Sequence, residues 1–307
     1  MNSFNFSGKK ILVTGASGFI GSHLCRRLRD SGATVHGISR TVQSSNEACS
    51  HWGQGDLADI EVVRDLLRTV EPDIVFHLAS HVVGARNLAL VLPTFNSNLV
   101  STINLLTVAT ETNIDRIVLI GSLEEPEQSD TYVVPSSPYA ASKWAGSGYA
   151  RMFHELYQTP VTIARLFMVY GPAQQDLRKL IPYVTLSLLR KQPPKLTSGM
   201  RQIDWIYVGD VVDGLLAMVQ APNIKGSTID LGSGVLVPIR TVVQKLINIT
   251  DSDVEPALGN VSDRPMEQVR VANIADTYAK IGWKPTTSLD KGLEYTVDWY
   301  RELSDRN

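Results

Sequence analysis

Cysteine is scarce in this chain: Cys25 and Cys49 are the only two among 307 residues. They form no Cys-x-x-Cys pair and no zinc spacing, and no other cluster has metal-ligand spacing. A disulfide scaffold and a structural metal site are therefore excluded, leaving two ordinary thiols of a reducing compartment. An excess of one charge is also missing. With 29 Lys and Arg against 31 Asp and Glu the formal net charge is −2, which speaks against a nucleic-acid surface and a polybasic membrane patch. No apolar run exceeds strand length, so no membrane span is expected, and residues 1–9 lack the apolar core of a signal peptide. The expected location is the cytoplasm. Internal repeats and low-complexity tracts are absent. What remains is 43% hydrophobic and 20% charged residues, an ordinary soluble composition with length for one large α/β domain and a smaller lobe.

The most informative stretch is Val13-Thr14-Gly15-Ala16-Ser17-Gly18-Phe19-Ile20-Gly21. The apolar run Ile11–Val13 leads into glycines at 15, 18 and 21, and Phe19, Ile20, Leu24 and Leu28 then recur at helical spacing. A strand that turns through glycines into a helix aims backbone N–H groups and the helix dipole at one point, which suits a pyrophosphate. Gly15 permits the sharp turn, Gly18 the close approach of phosphate, and Gly21 the packing of helix on strand.

Beyond it, apolar strands alternate with amphipathic helices. Strands are expected at Thr34–Ile38, just before Gly55, and at Asp73–Leu78, Arg116–Ile120, Val161–Leu166 and Ser227–Leu231. Helices are expected at Phe19–Asp30, Ile60–Val70, Thr94–Thr112 and Pro138–Tyr157, and a strand-to-helix unit over Tyr207–Val219. This alternation predicts a parallel, doubly wound sheet. The rhythm breaks after Tyr170, and helices are expected again at Val242–Ile249 and Leu289–Glu302. Residues 171–203 with 235–307 read as a small mixed lobe over the carboxyl ends of the strands. Residues 1–170 with 204–234 read as the main domain.

A second motif falls where such a sheet exposes its chemistry. Strand Arg116–Ile120 ends in Gly121-Ser122, and Tyr139-Ala140-Ala141-Ser142-Lys143 opens the following helix, placing Tyr139 and Lys143 one turn apart. A lysine ammonium beside a phenol favours phenolate, so Lys143 is expected to lower the pKa of Tyr139 and make it a proton-transfer group. Tyr-x-x-x-Lys also occurs on solvated helices, but here it appears once among ten tyrosines, at the junction where chemistry is expected.

These motifs stand in order with His77-Leu78-Ala79-Ser80, Asn98–Leu106, Arg165–Pro172, Asp204–Asp210 and Arg264-Pro265. Together they resemble the extended short-chain dehydrogenase/reductase family, the sugar-nucleotide epimerases and dehydratases, over nearly the whole chain. The resemblance implies a Rossmann-type domain that binds NAD(P) and a C-terminal lobe that binds a nucleoside-diphosphate sugar. It implies that Tyr139 is the acid/base, that Lys143 bonds the nicotinamide ribose and that Ser122 steadies the reacting C4 oxygen. Gly15, Ser17, Gly18, Phe19, Ile20 and Gly21 then hold the pyrophosphate. Asp56 and Leu57 meet adenine, and Leu78, Ala79 and Ser80 lie beside pyrophosphate and ribose. Lys179, Arg201 and Arg264 fall where the family binds the substrate's diphosphate and ribose. The helices over 94–112 and 138–157 imply a homodimer through a four-helix bundle.

The chain departs from that pattern in three places. Leu123-Glu124-Glu125-Pro126 replaces a Val-Tyr-Gly element. Glu124 aligns with the glutamate by which dehydratases remove a C5 proton, but the aspartate before it is Leu123. Met168 replaces an asparagine that bonds substrate phosphate. His81, just past the cofactor loop, faces the sugar or is simply a polar loop residue. Cofactor choice turns on the end of the second strand, where an acid would hold the ribose diol of NAD. Here Ser39 and Arg40 stand there, with no acid until Glu47. That favours NADP(H), although a solvated Arg40 leaves NAD open. Arg40 and Leu123 point to an NADPH-dependent 4-keto-sugar-nucleotide reductase. Glu124 keeps a cofactor-retaining epimerase or dehydratase as the alternative. A non-catalytic dinucleotide sensor is the remote one, opposed by the presence of both Tyr139 and Lys143.

Overall fold

The computed structural model describes residues 4–43, 48–126, 133–263, 266 and 268–305. Strands β1 (Lys10–Thr14), β2 (Thr34–Ser39), β3 (His51–Gln54), β4 (Ile74–His77), β5 (Arg116–Ser122), β6 (Val161–Leu166) and β9 (Thr228–Leu231) form one sheet in the order β3-β2-β1-β4-β5-β6-β9. Every pairing in it is parallel. The fold is α/β, with a Rossmann-type doubly wound sheet and a smaller mixed lobe. The strand order reverses between β1 and β4, and in a doubly wound sheet the ligand crevice lies at that reversal, beyond the carboxyl ends of the strands.

Both faces of the sheet are covered, so the central strands are largely apolar and alternate residues serve different cores. Ile11, Val13 and Phe76 pack on one face with Leu24 and Leu28 of α1 (Phe19–Asp30) and Leu215 of α7 (Val208–Gln220). Leu12, Val75, Ile117 and Leu119 pack on the other, with Leu67 of α2 (Ile60–Val70), Leu105 of α4 (Ser101–Thr110) and Phe153 of α5 (Pro138–Tyr157). Cys25 and Cys49 are both free and buried, with Sγ atoms 3.4 Å apart. Among the described residues no helix is long and apolar enough to cross a membrane, and no cluster of His, Cys, Asp or Glu offers a metal site.

The helix expected at Thr94–Thr112 differs in its start and in its geometry. Helix α3 (Val91–Thr94) runs through a π-helical turn, Phe95–Val100, into α4. After β6 the chain leaves this sheet, returning to it only at β9, and β7 (Met168–Tyr170), β8 (Gln202–Tyr207) and β10 (Leu236–Pro238) make a separate three-stranded sheet, with β7–β8 parallel and β8–β10 antiparallel. Its core is shared with α6 (Leu180–Leu189), α8 (Ile239–Thr250) and α10 (Leu289–Asp305). Helix α9 (Ile274–Ile281) packs back against β9.

Two buried aspartates fasten these parts. Asp204 on β8 accepts from Ser233 N at 2.6 Å, Ser233 Oγ at 2.7 Å, and Gly234 N and Ala272 N at 3.0 Å. Asp210 at the start of α7 accepts from the backbone N–H groups of Thr286 and Thr287 and from the Thr286 hydroxyl.

Candidate active site

The glycine turn forms as its spacing demands. Gly15 has φ +68°, and a Cβ there would lie 2.8 Å from Ala79 N. A Cβ on Gly21 would lie 2.1 Å from Gly15 O, so β1 and α1 meet only because that residue has no side chain. Helix α1 starts after Gly18 with no side-chain cap, so its first N–H groups face the crevice without a protein acceptor from a capping residue. Phe19 meets His23 edge-on, Ile20 packs on the core, and Ser17 O accepts from Gln175 across the crevice at 2.7 Å.

A buried polar network ties this turn to the reaction end of the sheet. Ala79 N–H donates to Thr14 Oγ1 at 3.0 Å, Thr14 Oγ1 lies 2.8 Å from His77 Nδ1, and His77 Nε2 lies 3.1 Å from Thr102 Oγ1. Thr102 spends its proton on Asn98 O at 2.6 Å. Nε2 of His77 is therefore the donor and Nδ1 accepts from Thr14. Burial pushes His77 down to about 3, so it stays neutral. Asn98, aimed inward by the π turn, bonds His81 N through Oδ1 at 2.6 Å and Ser142 Oγ through Nδ2 at 2.9 Å. Ser142 in turn donates to Tyr139 O. His81 is held by Thr94 as well, at 3.2 Å.

At the end of β5 the catalytic candidates converge. Ser137 caps α5 by accepting from Ala140 N, and Pro138 supplies the first helical residue. That fixes where Tyr139 and Lys143 emerge. Lys143 Nζ donates to Ile120 O at 2.9 Å and stands 6.0 Å from the Tyr139 ring centre. Ser122 Oγ accepts from Glu124 N at 3.2 Å. Burial lowers Lys143 to about 8, with Glu125 opposing. Burial pushes the Tyr139 phenol up to about 12, a hydrogen bond with Ser122 pulls it down, and the charges of Glu125 and Glu124 raise it further. The expected lowering by Lys143 is thus overturned. The net shift is upward because burial is the largest cause and two nearby carboxylates add to it, with only the Ser122 hydrogen bond opposing.

The substrate-side candidates divide. Arg201 Nη2 pairs with Glu124 Oε1 at 2.9 Å and donates to Gln268 O at 2.9 Å, bringing both candidates to one point. Met168 lies part-buried on β7 and Lys179 precedes α6. Leu123 does not line the cleft. Its N–H continues the β5–β6 ladder to Leu166 O, and its side chain is packed in the core. Leu57 is likewise in the core, while Asp56 is exposed and caps Ala58 N. Ser39 Oγ is engaged by Thr41 and Gln43, and Arg40 is exposed at the end of β2. Arg264 lies outside the described residues.

A family model for the NAD dependent epimerase/dehydratase family matches residues 11–232. The chain belongs to that family. This epimerase/dehydratase member is 26% identical over 317 residues to a dTDP-D-glucose 4,6-dehydratase of Mus musculus, across 96% of this chain and 89% of the relative. Among solved structures it resembles a UDP-glucuronic acid 4-epimerase from Bacillus cereus, in complex with UDP-glucuronic acid and NAD. The identity is 26%, the TM-score 0.84, and 95% and 99% of the two chains are covered. A UDP-glucose 4-epimerase from Thermotoga maritima, 24% identical over 96% of this chain and 99% of its own, shares the fold with a TM-score of 0.87. The chain is an enzyme of the extended short-chain dehydrogenase/reductase type.

The residues present fit the family's dinucleotide. The cradle admits no side chain at Gly15 or Gly21, and Ser80 Oγ is buried with no hydrogen-bond partner among the described residues, an orphaned donor that a ligand oxygen would satisfy. Three residues that the motifs did not single out as site residues are central here. Asn98 and His77 lay inside recognised motifs, and only their burial shows their role. Glu125 had no signal beyond its place after Glu124.

Proposed function

We propose that this enzyme epimerises a nucleoside-diphosphate sugar at C4 with a retained NAD. The observation that carries the reading is the convergence of Ser122, Tyr139 and Lys143 at the end of β5, with one carboxylate, Glu124, held against Arg201. Bound NAD supplies the hydride acceptor and, when oxidised, a positive charge that favours Tyr139 phenolate. Tyr139 then takes the proton of the C4 hydroxyl and later returns it, while the Ser122 hydroxyl holds that oxygen. Lys143, anchored on Ile120 O, orients the ribose side of the cleft. Gly15, Ser17, Gly18, Phe19, Ile20, Gly21, Leu78, Ala79 and Ser80 hold the pyrophosphate end. Arg201 and Lys179 receive the substrate diphosphate, with the sugar lying between the seven-stranded sheet and the lobe built on β7, β8 and β10. Because Leu123 stands where dehydratases carry the aspartate before this glutamate, the acid for the leaving hydroxyl is missing from that position, and this favours epimerisation over water elimination.

A second reading, net reduction of a 4-keto sugar nucleotide by NADPH, is favoured by Arg40 at the end of β2 and weakened by the engagement of the Ser39 hydroxyl. Incubation with UDP-glucose and dTDP-glucose, without added reductant and with products read by NMR, separates the readings. The C4 epimer is expected. A 4-keto-6-deoxy product points to dehydration, and a strict need for stoichiometric NADPH sinks the proposal. We further infer a homodimer through a four-helix bundle of α5 and the helical run over 94–112, supported by the exposed Phe95 on that run and the exposed Leu156 and Tyr157 at the end of α5. Sedimentation equilibrium giving a monomer refutes it.

A further inference from the structure

Glu125 is a buried acid that the roles assigned above leave unused. It is 5% exposed, and a carboxylate there is costly unless it is bonded and balanced. Its Oε1 accepts from the Ser122 backbone N–H at 2.7 Å, and its own N–H donates to Ser122 O at 3.1 Å. The two residues therefore clasp each other at the end of β5. The carboxylate lies over Gly121, where an added Cβ would come within 2.6 Å of Oε1, so it fills the space that a side chain on the strand would take.

The surrounding charges come from four elements. Lys143 and Tyr139 face it from α5, and Arg165 faces it from β6, itself paired at 3.4 Å with Asp230 of β9. Glu124 adjoins it in sequence. Against Lys143 stands His77 of β4, which is neutral. Burial raises the Glu125 carboxyl, and Ser122 N–H, Ser147, Arg165 and Lys143 all favour its ionised form. Lys143 in turn is held up by Glu125 against burial.

We propose that Glu125 is a positioning residue of the catalytic site: its carboxylate fastens the strand end that carries Ser122 and is the buried counter-charge that holds Lys143 as an ammonium. The inference rests on reading Ser122, Tyr139 and Lys143 as the reaction centre. Its two parts are separable by substitution. Glutamine keeps an acceptor for Ser122 N–H and deletes the charge, whereas alanine deletes both.

The test follows Lys143 directly, by NMR of carbon-13-labelled lysine side chains in the full chain, with its resonance assigned through Lys143→Arg. In the parent the titration midpoint is expected near 8. In Glu125→Gln it is expected to fall by about one pH unit, because removing a nearby opposite charge favours the neutral amine. Glu125→Ala is expected to melt below Glu125→Gln, because only alanine strands the Ser122 donor. With UDP-glucose, the alkaline limb of kcat in Glu125→Gln moves down with Lys143. An unchanged Lys143 midpoint in folded Glu125→Gln overturns the proposal. Should that variant not fold, Lys143→Met reads the same coupling from the other side. There the Glu125 carboxyl must titrate higher than in the parent, and an unmoved carboxyl overturns the proposal equally. Neither titration uses a sugar. A shifted Lys143 in a parent that turns over no nucleotide sugar therefore upholds the counter-charge while removing the substrate reading.

Discussion

Replacing Asp204 by alanine tests how the small lobe is joined to the main sheet. Asp204 lies on β8, its side chain is buried, and it receives four hydrogen bonds. Ser233 and Gly234 follow β9 of the large sheet and Ala272 precedes α9, so one carboxylate gathers three chain segments. Alanine leaves three backbone N–H groups without their acceptor. A stranded buried donor costs about 1–3 kcal/mol. Ala272 is buried and bears that cost in full. Ser233 and Gly234 are half-buried and reach water, so each bears about half of it. The sum is roughly 2–6 kcal/mol, a large share of the ~5–15 kcal/mol that holds a domain folded. Urea unfolding of parent and variant, followed by circular dichroism, measures it. Asp204→Asn is expected to fall between them, because its oxygen still serves Ser233 while its amide nitrogen opposes the remaining donors. A loss below about 1 kcal/mol for alanine refutes the claim that this carboxylate is the fastening.

Other outcomes follow from the same geometry. Tyr139→Phe removes the one hydroxyl placed for proton transfer, so kcat is expected to fall about 10²–10⁴-fold with nucleotide-sugar binding intact in calorimetry; a kcat within tenfold of the parent would contradict the mechanism. Gly21→Ala drives a Cβ to 2.1 Å from Gly15 O. It is expected to lose NADH binding, read by fluorescence titration, together with about 1–3 kcal/mol of stability, and unchanged binding would show that the cradle tolerates displacement. His77 has its basic pKa lowered from 6.5 to about 3 on folding, so between those values the unfolded chain binds a proton that the folded chain does not. Stability therefore drops as pH falls through that window, by about 1.4 kcal/mol per unit for this group. His77→Gln is expected to flatten that slope in urea midpoints taken from pH 7 to 4, and an identical slope would mean that another group governs it.

The parts of the molecule legible in sequence are those whose causes are local. The turn from β1 to α1 needs glycine at 21 for contacts with Gly15 and Ala16 and at 15 for a positive φ, both readable from the local spacing, and Tyr139 and Lys143 share a helix face by spacing alone. The electrostatics of Tyr139 were not legible, because they depend on burial and on Glu124 and Glu125, which reach it from a different segment. Leu123 looked like a cleft residue beside Ser122, but the strand continues its ladder for one more bond and turns that side chain inward. The pairing of Arg201 with Glu124 joins residues 77 positions apart, and no local pattern reports it. The strand-to-helix unit expected over Tyr207–Val219 begins too late, since β8 (Gln202–Tyr207) precedes it and α7 fills it, and the membership of β8 in the smaller sheet depends on where β7 and β10 arrive.

The π turn at Phe95–Val100 stores one extra residue in an otherwise continuous helical run. One residue corresponds to about 100° of rotation about the helix axis. That rotation lets Asn98 face His81 and Ser142 while Leu105 and Leu106 of α4 still pack on the sheet. A single-codon deletion in this stretch would leave a regular helix of the same polarity and composition. It would also unfasten the α5 entrance that carries Tyr139, a lesion of phase with no change in the chemistry of any side chain.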